Sequence, residues 1–205
     1  MKDTTASQEL KAFLEDGLSE EIRRVSLAFV ILILIGFWAS YLSPELLEIA
    51  MERIHELFAA KNLVSPQGTI SFLGLFTNNA WACVFIMLYG LIPFAYLPAL
   101  ALGTNAIMMG VMAADSLKRG VMLPFLVGIL PHGIFEIPAM LLSFAMGLYV
   151  CGQMTRRCKK DKSAHSFSEN LLRISRFFFL ILVPVLLLAA VIEAWVTPVL
   201  LQLFV

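Results

Sequence analysis

Apolar residues run through this chain in blocks too long for a soluble fold, separated by short polar stretches. The first block covers residues 25–42. Two much longer ones follow at 69–114 and 121–150, and a last one covers 177–203. About twenty apolar residues in helical form cross the hydrocarbon of a bilayer. Pro93 and Pro98 divide 69–114 into two helices around a tight turn, because proline has no N–H for the helical ladder. The pattern predicts five crossings and an all-α polytopic membrane fold, with 1–205 forming a single transmembrane domain.

Two segments carry a helical stripe but cannot span. In 1–24, Leu10, Phe13, Leu14, Leu18 and Ile22 recur every three or four residues, opposite Glu15, Ser19 and Glu20. In 43–68, Ser43-Pro44-Glu45 reads as an N-cap, a first-turn proline and an acid set against the helix dipole. The helix it starts has Leu47, Met51, Ile54 and Phe58 on one face, with Glu45, Glu48, Glu52 and Glu56 turned away. Pro66-Gln67-Gly68 ends the region. Either stripe suits the membrane interface, and equally a neighbouring span or second subunit.

Charge orients the spans. Arg156, Arg157, Lys159, Lys160, Lys162, Arg173 and Arg176 crowd 151–176, read as a basic loop before the last span, while Arg23 and Arg24 precede the first. Basic residues stay cytoplasmic, so the N-terminal segment and 151–176 are expected inside. Residues 43–68 and the C-terminus are expected on the outer side. Lys118 and Arg119 fall on the outer side and dissent. Residues 1–22 are too charged for the apolar part of a secretory signal, so the first span is expected to be retained. Trp38, Trp81 and Trp195 suit interface anchoring.

Composition agrees: 60% of residues are hydrophobic and 15% charged, against roughly half and a quarter in soluble domains. Formal net charge is zero, which argues against a nucleic-acid partner. Cys83, Cys151 and Cys158 show neither a disulfide framework nor metal-ligand spacing. No cofactor motif is present and no cofactor is expected. Gly103, Gly110, Gly128, Gly133 and Gly147 suggest close helix contact, and Met108, Met109 and Met112 read as gap-filling packing.

None of this explains a histidine and a carboxylate inside a crossing. In Pro131-His132-Gly133-Ile134-Phe135-Glu136-Ile137-Pro138, His132 and Glu136 stand four apart and share a helical face. Ionisable groups at membrane depth are costly and need partners. Counting helical rise, Asn78, Asn79, His132, Glu136 and Glu193 all fall in the outer half of the bilayer, with Asn105 nearer the cytoplasm. This polar cluster fits proton relay, cation binding or a buried pair that holds helices together. The enzyme reading is thin: no His-Glu-x-x-His, Gly-x-Ser-x-Gly or phosphate loop occurs, so no catalytic set is assigned. A zinc site would need Glu136, Glu193 or water beside His132, and a metal is left open.

The stretches from Thr69 and from Val121 are each near thirty residues, more than the roughly twenty a perpendicular helix needs. Thr77-Asn78-Asn79 interrupts one and Pro131-His132-Gly133 the other, at matching positions when Gly74 is set against Gly128. This suggests a weak parallel internal repeat with broken or re-entrant arms. Long tilted helices with incidental polar residues fit as well.

Asn78-Asn79, Gly90, Asn105, Gly110, Gly147 and above all Pro131-His132-Gly133-x-x-Glu136-x-Pro138-Ala139 resemble the stage II sporulation protein M family, chiefly over residues 74–150. The resemblance implies a polytopic inner-membrane protein and a non-enzymatic component of a cell-envelope complex. In spore formers such proteins work with peptidoglycan-degrading partners that carry the hydrolytic chemistry. Similar proteins occur in organisms that never sporulate, so the resemblance transfers no process and no reaction for His132 or Glu136. The expected partners are the bilayer, further copies of the chain in a homo-oligomer, and envelope proteins. A small transporter or channel with its polar site in the outer leaflet is the alternative, and an intramembrane metal-dependent hydrolase comes third.

Overall fold

The computed structural model describes residues 8, 11, 14–59 and 72–202, and among these it is built of helices without strands. Of the N-terminal stripe, Leu10 and Phe13 lie outside the described residues, as does Pro66-Gln67-Gly68. Among the described residues, five helices are long and apolar enough to cross a membrane. They are α1 (Ser19–Leu42), α3 (Phe72–Tyr89), α4 (Leu97–Lys118), α5 (Met122–Cys158) and α6 (Phe167–Leu200). The short helix α2 (Pro44–Ala59) follows α1.

Helix α5 is the axis of the bundle. Its second half is the most thoroughly buried part of the molecule: Phe144, Ala145, Met146, Val150 and Cys151 have no exposed surface. It packs against α3, α1, α4 and α6, while α1 lies along α4 in the most extensive pairing. In a bilayer there is no hydrophobic drive between helices, so packing depends on how closely backbones approach. Glycines permit this at two crossings. A Cβ on Gly36 would sit 2.6 Å from the Ile107 carbonyl oxygen, and one on Gly147 would sit 2.7 Å from that of Ile86. Gly110 abuts Ile33, and Gly90 abuts Gly147. Gly103, expected to be a contact glycine, faces open space.

The turn between α3 and α4 falls at Gly90–Tyr96, as the proline pair predicts, with Pro98 in the first turn of α4. It is stitched to the axis: the Phe94 N–H donates to Thr155 Oγ1 (2.9 Å) and the Cys151 thiol to the Ile92 carbonyl (3.4 Å). At α2, Ser43 Oγ accepts from the Leu46 N–H (3.3 Å). Leu47 and Ile54 are buried against Val111 of α4, so the stripe covers a neighbouring span. The Phe58 side chain lies outside the described residues. Glu48, Glu52 and Glu56 border an open cleft beside α4.

Two expectations are corrected. First, no break occurs at the two polar interruptions. Helix α3 runs unbroken through Asn78-Asn79, and α5 continues for 37 residues through both Pro131 and Pro138. Two prolines deprive Val127 and Ile134 of their amide donors, but a broken segment would strip several more backbone groups of partners where water is scarce. The broken-arm form of the internal repeat falls with it. The ladder slips instead in α6, at π-helical turns Phe178–Leu182 and Ile192–Val196. Second, 151–176 is mostly helix. Helix α5 extends to Cys158, and α6 starts at Phe167 behind a capping box in which Ser166 and Glu169 satisfy each other's backbone amides. The charges of 167–176 belong to a helix that begins before the apolar run. Lys118, the charge that dissents from the orientation, has a local role. Its Nζ donates to the Ser40 carbonyl (3.2 Å) and lies over the Tyr41 ring, capping the C-terminus of α1.

Candidate functional site

The polar positions singled out in the sequence converge. Asn78 and Asn79 of α3, Asn105 of α4, His132 and Glu136 of α5 and Glu193 of α6 all border one cavity of about 280 Å³. All six are half-buried. The cavity is at the small end of ligand pockets, which run roughly 300–1,000 Å³. Apolar side chains, among them Leu75, Ile129, Ile137, Met108 and Met140, make up much of the rest of its wall. The sequence set Asn105 apart by depth, yet it borders the same space.

Each side chain is placed by its helix. Helical spacing stacks His132 and Glu136 one turn apart on α5, with His132 Nε2 4.0 Å from Glu136 Oε2. That is an ion-pair distance, too long for a hydrogen bond. Gly133, between them, has only its own helix's Ile129 and Ile137 side chains close by. His132 Nδ1 is buried and has no hydrogen-bond partner among the described residues. Asn78 Nδ2 donates to Asn79 Oδ1 (3.0 Å), and Asn105 Nδ2 donates to the Ala101 carbonyl (2.8 Å).

Glu193 reaches the cavity from a π-helical turn, where the Thr197 N–H bonds back to Ile192 across five residues. Pro198 follows directly and supplies no N–H of its own, which favours such a slip. The same turn sends Trp195 outward to stack on Phe72, with ring centroids 5.3 Å apart. Ligand atoms of His132, Glu136 and Glu193 all lie within 4.8 Å of one another. Chemically, this arrangement can hold a proton, a metal ion or a small polar solute between one imidazole, two carboxylates and three amides.

A second polar network escaped the sequence reading. Asp16 Oδ2 accepts from the Tyr149 hydroxyl (2.7 Å) and from Arg173 Nη1, and lies 3.0 Å from His165 Nε2. Gln153 Nε2 donates to the Tyr149 oxygen (3.1 Å), and Gln153 Oε1 accepts from the His165 N–H (3.2 Å). It ties the turn before α1 to α5, the connecting loop and α6. A local signal exists in Asp16-Gly17, since Gly17 takes φ +102°, a left-handed value that suits glycine. Its partners, more than a hundred residues away, leave none.

Fold and site together define a polytopic all-α membrane protein with a polar cavity inside its helix bundle. The family model for stage II sporulation protein M matches residues 25–198. The chain belongs to that family. It is also similar to "Uncharacterized protein MJ0793" of Methanocaldococcus jannaschii, with 32% identity over 134 residues, covering 65% of this chain and 74% of that protein. No solved structure matches the chain.

Proposed function

We propose that this family member is a membrane-embedded binding protein for a small cation or polar solute, received at the His132–Glu136–Glu193 cavity. One observation carries the reading: six polar side chains from four helices border one cavity in a bundle whose other buried positions are largely apolar. Each such group at membrane depth costs free energy, and the hydrogen bonds of Asn78, Asn79 and Asn105 do not account for gathering His132, Glu136 and Glu193 at the same cavity. The orientation that goes with it has the N-terminus and the basic end of the bundle in the cytoplasm of the inner membrane, which Arg156, Arg157 and Lys159 to Lys162 support. The site then opens toward the outer leaflet.

Family membership supports a second reading, a non-enzymatic component of a cell-envelope complex. Leu27, Leu34, Ile35 and Trp38 of α1 point outward and suit lipid, a second copy or an envelope partner equally.

Cysteine accessibility separates the two. With exposed Cys158 changed to serine, Cys83 and Cys151 remain and both are buried. Asn79→Cys in this background should react with a membrane-impermeant thiol reagent added outside intact cells, much faster than Cys83 one turn away. Silence from both faces of the membrane means a cavity closed to polar solutes, and favours the complex-component reading.

A further inference from the structure

We propose that the cavity binds a divalent transition-metal cation through His132, Glu136 and Glu193. The inference rests on the reading of the cavity as a binding site and adds the class of its occupant. Three observations point to it. The ligand atoms of the three residues already lie within 4.8 Å of one another. A zinc-like ion held at about 2.0–2.2 Å by each ligand draws such atoms to within about 4 Å, a closure that side-chain rotation supplies.

The second observation is charge. No lysine or arginine is among the described residues that border the cavity. Its two carboxylates outnumber its one imidazole, so the titratable groups of the lining sum toward negative charge. A low-dielectric space of that sign attracts a cation. The third is His132 itself: Nδ1 is buried with no hydrogen-bond partner among the described residues, and Nε2 faces Glu136 at 4.0 Å. This imidazole is held near two carboxylates without being consumed by the helix packing.

The donor set selects among cations. Hard ions such as Ca²⁺ and Mg²⁺ prefer shells made wholly of oxygen. One imidazole with two carboxylates suits Zn²⁺, Co²⁺ or Mn²⁺. The amides of Asn78, Asn79 and Asn105 border the remaining space, where they can hydrogen-bond water on the ion's open side. The π-helical turn carrying Glu193 belongs to this design, because such turns concentrate where a helix must re-aim a side chain at a site.

The full chain, purified in nanodiscs and stripped with chelator, is titrated with Co²⁺. One ion per chain should bind, with visible d–d absorption of a four- or five-coordinate site, and Zn²⁺ should displace it. His132→Ala and Glu193→Gln should each weaken binding at least about tenfold, as expected when one of three ligands is lost. His55→Ala and His165→Ala should leave it unchanged. Circular dichroism and size exclusion report folding of every variant, and isosteric Glu136→Gln serves as the third ligand test should His132→Ala fail to fold. No saturable Co²⁺ binding, or binding lost with His55 or His165 and kept without Glu193, overturns the proposal. A cavity that labels at Asn79→Cys but takes no metal defeats this inference and spares the solute reading. Metal bound in a cavity that never labels upholds this inference and the cation half of the reading, and removes the polar-solute half.

Discussion

Individual glycines decide how closely the helices pack, and sequence spacing does not say which ones. On α4, Gly110 presses on Ile33 and Gly36 of α1, while Gly103, two turns earlier, meets nothing. Gly110→Ala should therefore lower stability by about 1–3 kcal/mol, the usual cost of overpacking a close contact. Gly103→Ala should be neutral or stabilising by up to about 1 kcal/mol, since alanine restricts the unfolded chain and favours helix. Thermal unfolding in detergent compares them directly, and equal losses would remove the close-approach argument. At the same scale, the sequence made the identity of the cavity residues legible, because histidine, glutamate and asparagine stand out in apolar runs. What depth-counting missed was Asn105, since it treats each span as perpendicular and gives no azimuth. Asn105 reaches the others because α4 packs beside α5.

Elements were legible where apolar length or proline marked them, and illegible where charge masked a helix. The five spans and the turn at Pro93 and Pro98 follow from pattern alone. The helical run of 167–176 does not, since Arg173 and Arg176 look like loop residues until the Ser166–Glu169 capping box is noticed. The true connection between α5 and α6 is short and centred on Asp161. Its carboxylate accepts from the Ser163 hydroxyl (2.6 Å), the Ser163 N–H (2.9 Å) and Arg156 Nε (2.8 Å). These donors, the Ser163 hydroxyl foremost, hold its pKa down at about 2 from an ordinary 3.8. A depressed carboxylate contributes fully above its unfolded value and loses that contribution as pH falls through the folded one. Protection of the Ser163 amide from exchange should therefore be the same at pH 7 and pH 5, and fall progressively from about pH 4 to about pH 2. Asp161→Asn should reduce it at every pH. An Asp161 titration midpoint near 3.8 by NMR would show that the turn is not held this way.

At the scale of the whole molecule, the cavity lies toward one end of the bundle and the Asp16 network fastens the other. That fastening joins contacts separated by more than a hundred residues, which is why hydrophobic patterning showed only a stripe in 1–24. Leu18, beside Asp16, is buried in the main core, so the turn before α1 is held by both apolar packing and charge. The carboxylate and Arg173 are partly solvated, with side chains 37% and 26% exposed. Their pairing is therefore screened, and its loss should cost about 1 kcal/mol and less at high salt. Asp16→Asn keeps the shape and removes the charge that gathers Tyr149, His165 and Arg173. Leu18→Ala removes the buried anchor and should cost about 2–5 kcal/mol. If charge and packing act together on one hinge, Asp16→Asn should speed proteolysis before α1 several-fold at low salt, a difference that fades by about 1 M salt as the Debye length shrinks to ~3 Å. Leu18→Ala should speed it at any salt and lower the unfolding temperature of the whole bundle. A salt-independent effect of Asp16→Asn would assign the fastening to the geometry of Gly17 and the packing of Leu18, leaving the charges as passengers.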